Sequence, residues 1–523
     1  MFLAGREGLL AELEVRLAGD DGTAPRMVAL CGLGGVGKTS MALEYAYRHL
    51  AEVGVAWQFP AEDAVVLAAA FGELAVQLGA RELPDAREPV ASVHSALAAY
   101  PVGWLLVFDN APDWASVAAF VPPVGRGRVL ITGRNQDWPS GQALDVPVLD
   151  PEVAAGFLVD RSGDPDKQAA LELAGELDGL PLALEQAAAF IPASGYSLAG
   201  YLASFRQRRN DLLACRELAG YSETVATTWR LAIEHLQHAA PGAVGLLRLL
   251  ANYAPDAIPL PLLLQPRAGL AERLGEEVVP ALVPLLEHER AAKDAIAALR
   301  WFSLVTPTAD GSVSVHRLVQ AITVAQMPAE LAAAWQQTAA AVIEAALPAD
   351  WRSPETWSAF ASLLPHAQAA LTDDSAGMRT IASYLGSSGS YAAARDLYQR
   401  VFDARVRVSG SEDPATLSAR AQLAYWTGQA GDAAGARDQY AALVPVRERV
   451  LGPEHPDTLG AHANLAYWTG QAGDAAGARD QYAALVPVDE RVLGPEHPDT
   501  LAAHANLAYW TGQAGDAAGF RVD

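Results

Sequence analysis

The stretch ALCGLGGVGKTSMALEYA, residues 29–46, decides the fold prediction. It contains the pattern GxxxxGK[ST], whose fixed positions are Gly32, Gly37, Lys38 and Thr39. The apolar run before it, residues 26–31, is typical of a buried strand, and residues 39–50 have the apolar spacing of a helix. This order of strand, glycine-rich loop and helix predicts a phosphate-binding loop.

Such a loop binds phosphate because its backbone N–H groups point into one concavity, at the positive N-terminus of the following helix. We expect Lys38 to contact the β- and γ-phosphates of a nucleotide and Thr39 to bind Mg²⁺. The residues expected to surround the phosphates are Gly32, Gly34, Gly35, Val36, Gly37, Lys38, Thr39 and Ser40.

Further apolar runs predict the rest of a parallel α/β sheet. They lie at residues 55–59, 104–108 and 128–132, with a weaker run at 144–149. Helical stretches, such as residues 64–79 and 91–99, separate the first strands. Strands buried on both faces that alternate with helices are typical of parallel sheets.

Two polar residues follow these strands and are candidates for catalysis together with Lys38. Asp109 comes directly after the run at 104–108, so we expect it at the end of a buried strand, where it would share Mg²⁺ with Thr39. Arg134 follows the run at 128–132 and is placed to sense a γ-phosphate. A guanine-specific NKxD motif is absent, which favours ATP over GTP.

Residues 151–330 are alanine- and leucine-rich and read as helical, with one exception. At 304–319 two β-like runs flank the letters ADGS, which predicts a hairpin between two helices and thus a winged-helix unit. The helix that follows carries a single basic residue in RLVQAITVAQM, so we expect a packing role for this unit rather than DNA binding.

The C-terminal part contains an internal repeat with a period of 42 residues. LGPEHPDTL occurs at 451–459 and 493–501, and TGQAGDAAGARDQYAALVPV occurs at 427–446 and 469–488. A degenerate earlier copy, GSSGSYAAARDLY at 386–398, matches GQAGDAAGARDQY at 428–440. Each unit predicts two antiparallel helices, which stack as an α-solenoid. We assign the recurring tryptophans to the core of the solenoid: Trp426, Trp468 and Trp510. We assign structural rather than metal-binding roles to the recurring histidines: His455, His462, His497 and His504.

The last copy of the repeat stops at residues 520–523, FRVD, without its second helix. We expect either that another chain covers this end or that the chain is a truncated product of a longer array.

Composition restricts the partners and the location. The net charge of −24 repels phosphate backbones and anionic lipids, so we expect no binding to nucleic acid or membranes. No apolar stretch is long enough to span a bilayer. The start of the chain is acidic and lacks the basic leader of a signal peptide. Cys31 and Cys215 are far apart in sequence and match neither a CxxC motif nor a metal-ligand spacing. Both observations predict a cytoplasmic protein.

Together these residues resemble the NB-ARC branch of the STAND ATPases, in particular bacterial members with tetratricopeptide repeats. FLAGREGLLAEL is similar to the opening box of the family, whose arginine, here Arg6, lies near the adenosine. LITGRN is similar to the sensor motif with Arg134. LDGLPLALEQAAAFI resembles the helical-domain motif whose proline, here Pro181, packs against the nucleotide. VSVHRLVQAI resembles the motif whose histidine, here His316, contacts the β-phosphate of ADP.

The resemblance implies a multidomain α/β plus α fold. Its parts would be a P-loop nucleotide-binding domain, a helical domain, a winged-helix domain, a helical linker and a tetratricopeptide α-solenoid similar to the repeats of kinesin light chains. Their expected bounds are 1–150, 151–232, 233–330, 331–378 and 379–523. The opening box begins at residue 2, so we expect no effector domain before it.

The function that the resemblance implies is an ATP/ADP-dependent signalling switch with Mg²⁺ as cofactor. ADP would be bound at rest and ATP in the active state, with slow hydrolysis and an oligomer of identical chains in the ATP state. The solenoid would bind a protein or peptide ligand.

Two positions depart from the family pattern. Asn110 stands where a second acid is common, and an amide cannot take a proton from water, which argues against fast hydrolysis. Arg317 replaces the aspartate that follows the histidine. These departures leave open a second hypothesis, a peptide-binding scaffold with a structural nucleotide site. A third is a transcription regulator.

Overall fold

The computed structural model describes residues 3–18, 24–79, 89–214 and 223–519, with the side chains of 208–214, 223–228 and 516–519 left out of the description. Cys215 and the last letters FRVD lie outside the described residues. The described residues form two compact units. One holds residues 3–79, 90–349 and 358–371, and the other holds residues 350–357 and 372–519.

The first unit begins with a five-stranded sheet in the order β2-β3-β4-β1-β5, in which all neighbouring strands are parallel. Its strands are β1 (Arg26–Cys31), β2 (Val55–Pro60), β3 (Trp104–Ala111), β4 (Gly127–Gly133) and β5 (Ala143–Asp145). The predicted parallel sheet is confirmed. Because the strands are parallel, the loops that follow β1, β2, β3 and β4 meet at one edge.

Helices cover both faces of this sheet because its strands are buried on both sides. They are α1 (Glu7–Leu17), α2 (Lys38–His49), α3 (Ala64–Gln77), α4 (Pro89–Ala98) and α5 (Trp114–Val117). Three buried rings form the centre of the core on one face: Phe59 lies 4.4 Å from Phe71 and 5.1 Å from Phe108 between ring centroids. Asp63 caps α3 by accepting hydrogen bonds from the N–H groups of its first turn.

The structure places Asp109 near the end of a buried strand, where the sequence predicts it, but the strand is longer than the apolar run. Strand β3 continues to Ala111, so Asp109 lies inside it. The pairing of β3 with β4 shifts register between Phe108 and Ala111, and Asn110 adopts a left-handed φ of 68°. The reason is local: the Asn110 N–H donates to Thr132 Oγ1 at 2.7 Å instead of to a backbone carbonyl of β4.

Helices follow from Pro151 onwards, as the sequence predicts. They are α6 (Pro151–Ser162), α7 (Lys167–Glu176), α8 (Pro181–Ser194), α9 (Leu198–Ala214), α10 (Glu223–Ala239), α11 (Pro241–Leu250), α12 (Leu260–Leu263), α13 (Val279–Glu287), α14 (Glu289–Trp301), α15 (Arg317–Ala325), α16 (Ala329–Ala346) and α17 (Trp357–Ala370). The hairpin expected at the letters ADGS is present between α14 and α15. Its strands β6 (Thr306–Pro307) and β7 (Val313–Ser314) are antiparallel, and Gly311 supplies the left-handed turn residue with φ 85°.

The second unit is a stack of helix pairs with the predicted period. The helices are α18 (Ala376–Ser387), α19 (Tyr391–Ser409), α20 (Pro414–Gln429), α21 (Ala433–Leu451), α22 (Pro456–Gln471), α23 (Ala475–Val492) and α24 (Pro498–Gly519). The recurring tryptophans are buried in its core, as expected.

The last helix differs from its earlier copies. In those copies the first helix of the pair ends before Gly473 and Asp474, and Asp474 starts the next helix by accepting from the Gly477 N–H. Helix α24 instead continues through Gly515 to Gly519, and no paired helix follows it within the described residues. Among the described helices, none is both long and apolar enough to cross a bilayer.

Candidate nucleotide-binding site

The loop between β1 and α2 has a backbone that only glycine accommodates at several positions. Gly32, Gly35 and Gly37 have left-handed φ values of 137°, 83° and 92°. A Cβ atom on Gly32 would also lie 2.7 Å from the Val146 carbonyl oxygen. The glycines of the motif therefore permit the tight curl that turns backbone N–H groups inward.

Lys38, the first residue of α2, lies over this loop. Its Nζ donates to the carbonyl oxygens of Gly32 at 2.9 Å and Leu33 at 2.8 Å. Burial, and then the nearby positive charge of Arg134, lowers the pKa of Lys38 to about 8. An ammonium group that is partly desolvated and close to a second cation favours an anionic ligand.

Thr39 and Asp109 lie together as the magnesium prediction requires. Thr39 Oγ1 donates to Asp109 Oδ1 at 2.8 Å, and the Thr132 hydroxyl donates to the same oxygen at 2.5 Å. The Asp109 side chain is buried. This pair of a hydroxyl and a carboxylate offers the hard oxygen ligands that Mg²⁺ prefers when it also binds nucleotide phosphates, so the residues present fit that ion.

The start of helix α8 touches the phosphate-binding loop. The Leu182 N–H donates to the Gly35 carbonyl oxygen at 3.2 Å, and a Cβ on Gly35 would lie 3.1 Å from Leu182 Cβ. Pro181, the candidate from the resemblance, is the first residue of α8 and half-buried. Sequence reasoning identified Pro181 but missed its neighbour Leu182, which makes the contact.

The segment after the hairpin touches the same loop through Leu318. Its Cδ1 would lie 3.7 Å from a Cβ on Gly34 and 3.5 Å from one on Gly35. Sequence reasoning also missed this leucine, which is part of the apolar face of α15. The starts of α8 and α15, which are distant in sequence, therefore both contact the phosphate-binding loop.

His316 precedes α15 and caps it, since its Nδ1 accepts from the Leu318 N–H at 3.2 Å. Burial, and then the charges of Arg317, Lys38 and Arg134, lowers the pKa of His316 to about 4. The imidazole is therefore neutral at pH 7, and because Nδ1 accepts a hydrogen bond, the proton is on Nε2. A neutral ring that carries its proton on Nε2 can donate a hydrogen bond to a phosphate oxygen without adding charge.

Arg6 is buried, and its guanidinium binds protein backbone. Nη2 donates to the carbonyl oxygens of Val36 at 3.0 Å and Pro147 at 2.6 Å. In this structure Arg6 holds the phosphate-binding loop against the segment after β5. Its predicted proximity to adenosine stays an expectation from the resemblance.

The other candidates lie around the same loop. Arg134 follows β4 and is exposed, and its Nη2 would lie 3.6 Å from a Cβ on Gly34. Ser40 is the half-buried third residue of α2.

Sequence reasoning missed Glu62, which connects the two positions that depart from the family pattern. Arg317 donates to both carboxylate oxygens of Glu62, at 3.1 and 2.9 Å, and Asn110 Nδ2 donates to Oε2 at 3.2 Å. The signal that could have identified Glu62 is its place just after β2, at the edge of the sheet where the loops meet.

The recurring histidines make structural contacts. His455 and His497 each accept from the backbone N–H two residues later. The Nε2 atom of His462 lies 3.0 Å from a carboxylate oxygen of Glu448, and the same pairing recurs one period later. Within the described residues, no group of three histidine, cysteine, aspartate or glutamate side chains is placed to hold a metal ion.

Two family models match parts of this chain. A tetratricopeptide repeat model matches residues 377–415, 416–457 and 458–499. A model described as a domain of unknown function (DUF7779) matches residues 233–331, which include the hairpin. The C-terminal unit is therefore a tetratricopeptide array. With the parallel sheet described above, it confirms the predicted multidomain α/β plus α fold class.

Curated relatives cover more of the chain. It is 26% identical over 448 residues to a nucleotide-binding leucine-rich repeat (NLR)-like protein of Hyaloscypha variabilis, an alignment of 75% of this chain and 42% of the relative. It is 29% identical over 335 residues to regulatory protein AfsR of Streptomyces griseus, 60% of this chain and 31% of the relative. The chain thus spans less than half the length of either relative.

Among solved structures, the chain is similar to a signal transduction ATPase with numerous domains that carries a tetratricopeptide repeat sensor, from Pyrococcus horikoshii. The alignment covers 98% of this chain and 80% of that one, with 12% identity and a TM-score of 0.42. The repeats and the curated relatives confirm the resemblance to NLR-like and STAND-type proteins.

Proposed function

We propose that this chain is an ATP/ADP-dependent signalling switch. The phosphate-binding loop binds ADP at rest and ATP in the active state, and the tetratricopeptide array binds a protein or peptide partner. We place the protein in the cytoplasm and expect it to form an oligomer of identical chains in the ATP state.

The observation that carries this proposal is the contact of Leu182 and Leu318 with Gly35. These leucines belong to α8 and α15, which are distant in sequence from the loop. Since both touch the backbone that would hold the phosphates, a change of nucleotide changes their surroundings. A ligand shifts a conformational equilibrium only through such differential contacts.

The residues at the site fit a nucleotide with Mg²⁺. Lys38 and the loop N–H groups would bind the phosphates, Thr39 and Asp109 would hold the metal, and Arg134 would reach the terminal phosphate. When bound, Mg²⁺ would neutralise charge on the β- and γ-phosphates. Asn110 offers no carboxylate to accept a proton from water, so we expect hydrolysis to be slow.

The test is to purify the full chain without added nucleotide, denature it, and identify released nucleotide by chromatography. We expect near-stoichiometric ADP from the natural chain and none from Lys38→Ala. Lys293→Ala is the control, because that lysine lies on α14 in an exposed ion pair with Glu289. A natural chain that is empty and also binds no added ADP or ATP would overturn the proposal and favour a scaffold with a structural loop.

The relatives named regulatory protein AfsR motivate the alternative of transcription control. The net charge of −24 opposes direct binding to DNA. We therefore expect no retardation of DNA fragments by the purified chain at physiological salt, and regulation, if it occurs, would act through a protein partner.

A further inference from the structure

We propose that Arg317 discriminates ATP from ADP by exchanging its ion pair with Glu62 for the γ-phosphoryl group of ATP. This inference rests on the proposed nucleotide switch and assigns one of its sensing residues. Arg317 is the first residue of α15, and Glu62 follows β2, so the pair joins two segments 255 positions apart in sequence.

The ion pair with Glu62 places Arg317 on the side of the phosphate-binding loop where the γ-phosphate of ATP would lie. Glu62 contacts Asn110, the residue next to Asp109, and Asp109 contacts Thr39. In P-loop proteins the metal held by such residues bridges the β- and γ-phosphates. Arg317 therefore lies near the end of the site where a third phosphate distinguishes ATP from ADP.

The residue after Arg317 fixes its distance from the loop. Leu318 Cδ1 would lie at van der Waals distance, 3.7 and 3.5 Å, from Cβ atoms on Gly34 and Gly35, so the α15 N-terminus packs against the phosphate-binding loop. The charge of Arg317 is close enough to disfavour protonation of both Lys38 and His316. Glu62 is its ion-pair partner in this structure.

The exchange is favourable because the two partners differ in strength. The Glu62 side chain is 57% exposed, so solvent screens its attraction for Arg317. A γ-phosphoryl group carries more charge than a carboxylate, and arginine binds phosphate oxygens in the same bidentate manner. ADP lacks that group and would leave the ion pair in place.

The test measures equilibrium binding of fluorescent ADP and of a non-hydrolysable ATP analogue, each with Mg²⁺, to the full chain. We expect Arg317→Gln to weaken the ATP analogue by about tenfold and to change ADP affinity little. Glu62→Gln should strengthen binding of the ATP analogue, because Arg317 then loses its ion-pair partner. In the double variant the effect of Glu62→Gln should disappear.

A matched control is the Arg128–Glu52 ion pair. The Arg128 and Glu52 side chains are 28% and 55% exposed, which is close to the 25% and 57% of Arg317 and Glu62. Arg128 lies near the start of β4, at the edge of the sheet opposite the phosphate-binding loop. Glu52→Gln should leave both affinities unchanged. Thermal unfolding of each ligand-free variant shows whether it is folded. If Arg317→Gln does not fold, Arg317→Lys is the more conservative variant to test.

Two failures are distinguishable. If the natural chain binds neither nucleotide, the proposed function is wrong. If it binds both, but Arg317→Gln changes ADP and ATP affinity equally, or the two substitutions act additively, then Arg317 does not sense the γ-phosphoryl group and only this inference is overturned.

Discussion

Trp468 of one repeat lies directly on Gly428 of the repeat before it. A Cβ atom on Gly428 would be 2.4 Å from the Trp468 ring, closer than any real contact. The same relationship recurs one period earlier, between Trp426 and Gly386, and one period later, between Trp510 and Gly470. Each tryptophan therefore needs a glycine in the preceding first helix, and this pairing sets how closely the helix pairs stack.

The tryptophan–glycine pairs predict that a Gly→Ala substitution has opposite effects on stability at two equivalent positions of the repeat. Gly470→Ala forces its methyl group into the Trp510 ring and should lower the free energy of unfolding by about 1–3 kcal/mol. Gly512 occupies the same place one period later, where a Cβ would meet nothing within 4 Å. Gly512→Ala should be neutral or stabilise by up to about 1 kcal/mol, since alanine favours helix. Urea unfolding of both variants checks this, and equal effects would contradict it.

One buried position of the repeat carries a positive residue in one copy and a negative residue in the next. Arg447 is 5% exposed and donates to the carbonyl oxygens of Asp457 at 2.5 Å and Leu417 at 3.1 Å. One period later stands Asp489, which is 3% exposed, and its Oδ1 has no hydrogen-bond partner within the described structure. Burial raises the pKa of this carboxyl group. Helix α23 therefore carries a buried acid with one unpaired oxygen where α21 carries a guanidinium whose two Nη atoms are hydrogen-bonded.

We expect Asp489→Arg to stabilise the array, by about 1–2 kcal/mol, because the arginine would reach the carbonyl groups equivalent to those that Arg447 binds. The reciprocal variant Arg447→Asp should destabilise it by about 3 kcal/mol or more, since it buries an unpaired charge. Thermal and urea unfolding of both variants measure the difference. A lower stability of Asp489→Arg would show that the two repeats differ in backbone as well as in side chain.

His366 predicts a loss of stability in mild acid. The ring is buried in α17, its Nε2 donates to the Ala257 carbonyl at 3.3 Å, and it lies edge-on to Tyr253. Burial lowers its pKa from 6.5 to about 4. Between these values the unfolded chain binds a proton that the folded chain does not. The stability that the neutral His366 ring contributes is therefore complete above about pH 6.5, falls as the pH drops towards 4, and changes no further below it.

The full shift corresponds to about 3 kcal/mol, and His366→Leu should remove that share of the slope. The share from His316, whose pKa burial also lowers to about 4, should remain. The measurement is urea unfolding at a series of pH values between 4 and 8, on the natural chain and the variant. His504→Leu, at an exposed histidine of the array, should keep the slope of the natural chain. If His366→Leu also keeps it, the buried ring is not the source of the acid sensitivity.

The sequence predicted the parts of the site whose geometry is local. The loop from Gly32 to Ser40 has fixed spacing, so its strand, curl and helix follow from the residues themselves. Asp109 and Arg134 were found because they follow apolar runs, and the ends of parallel strands meet at one edge. The 42-residue period likewise predicted the buried tryptophans.

Contacts between distant segments were not predictable in this way. Glu62 has no motif, and its pairing with Arg317 depends on how α15 packs against the sheet. Leu182 and Leu318 belong to ordinary apolar helix faces, and nothing in their spacing indicates that they meet Gly35. The extension of β3 to Ala111 depends on one hydrogen bond from Asn110 to a side chain of the next strand.

That hydrogen bond gives the last prediction. Thr132 is 1% exposed, and its hydroxyl donates to Asp109 while accepting from the Asn110 N–H. Thr132→Val keeps the shape but leaves that N–H and the carboxylate without this partner. It should cost about 1–3 kcal/mol of unfolding free energy.

Thr132→Ser is the matched control, because it keeps the hydroxyl and loses only a methyl group, for about 1 kcal/mol. Chemical unfolding of the ligand-free chain measures both costs. Since the hydroxyl also orients Asp109, Thr132→Val should in addition weaken the Mg²⁺ dependence of nucleotide binding, whereas Thr132→Ser should preserve it. If valine proves as stable as serine and keeps the magnesium dependence, the bulge at Asn110 is held by the backbone alone and Thr132 does not position the carboxylate.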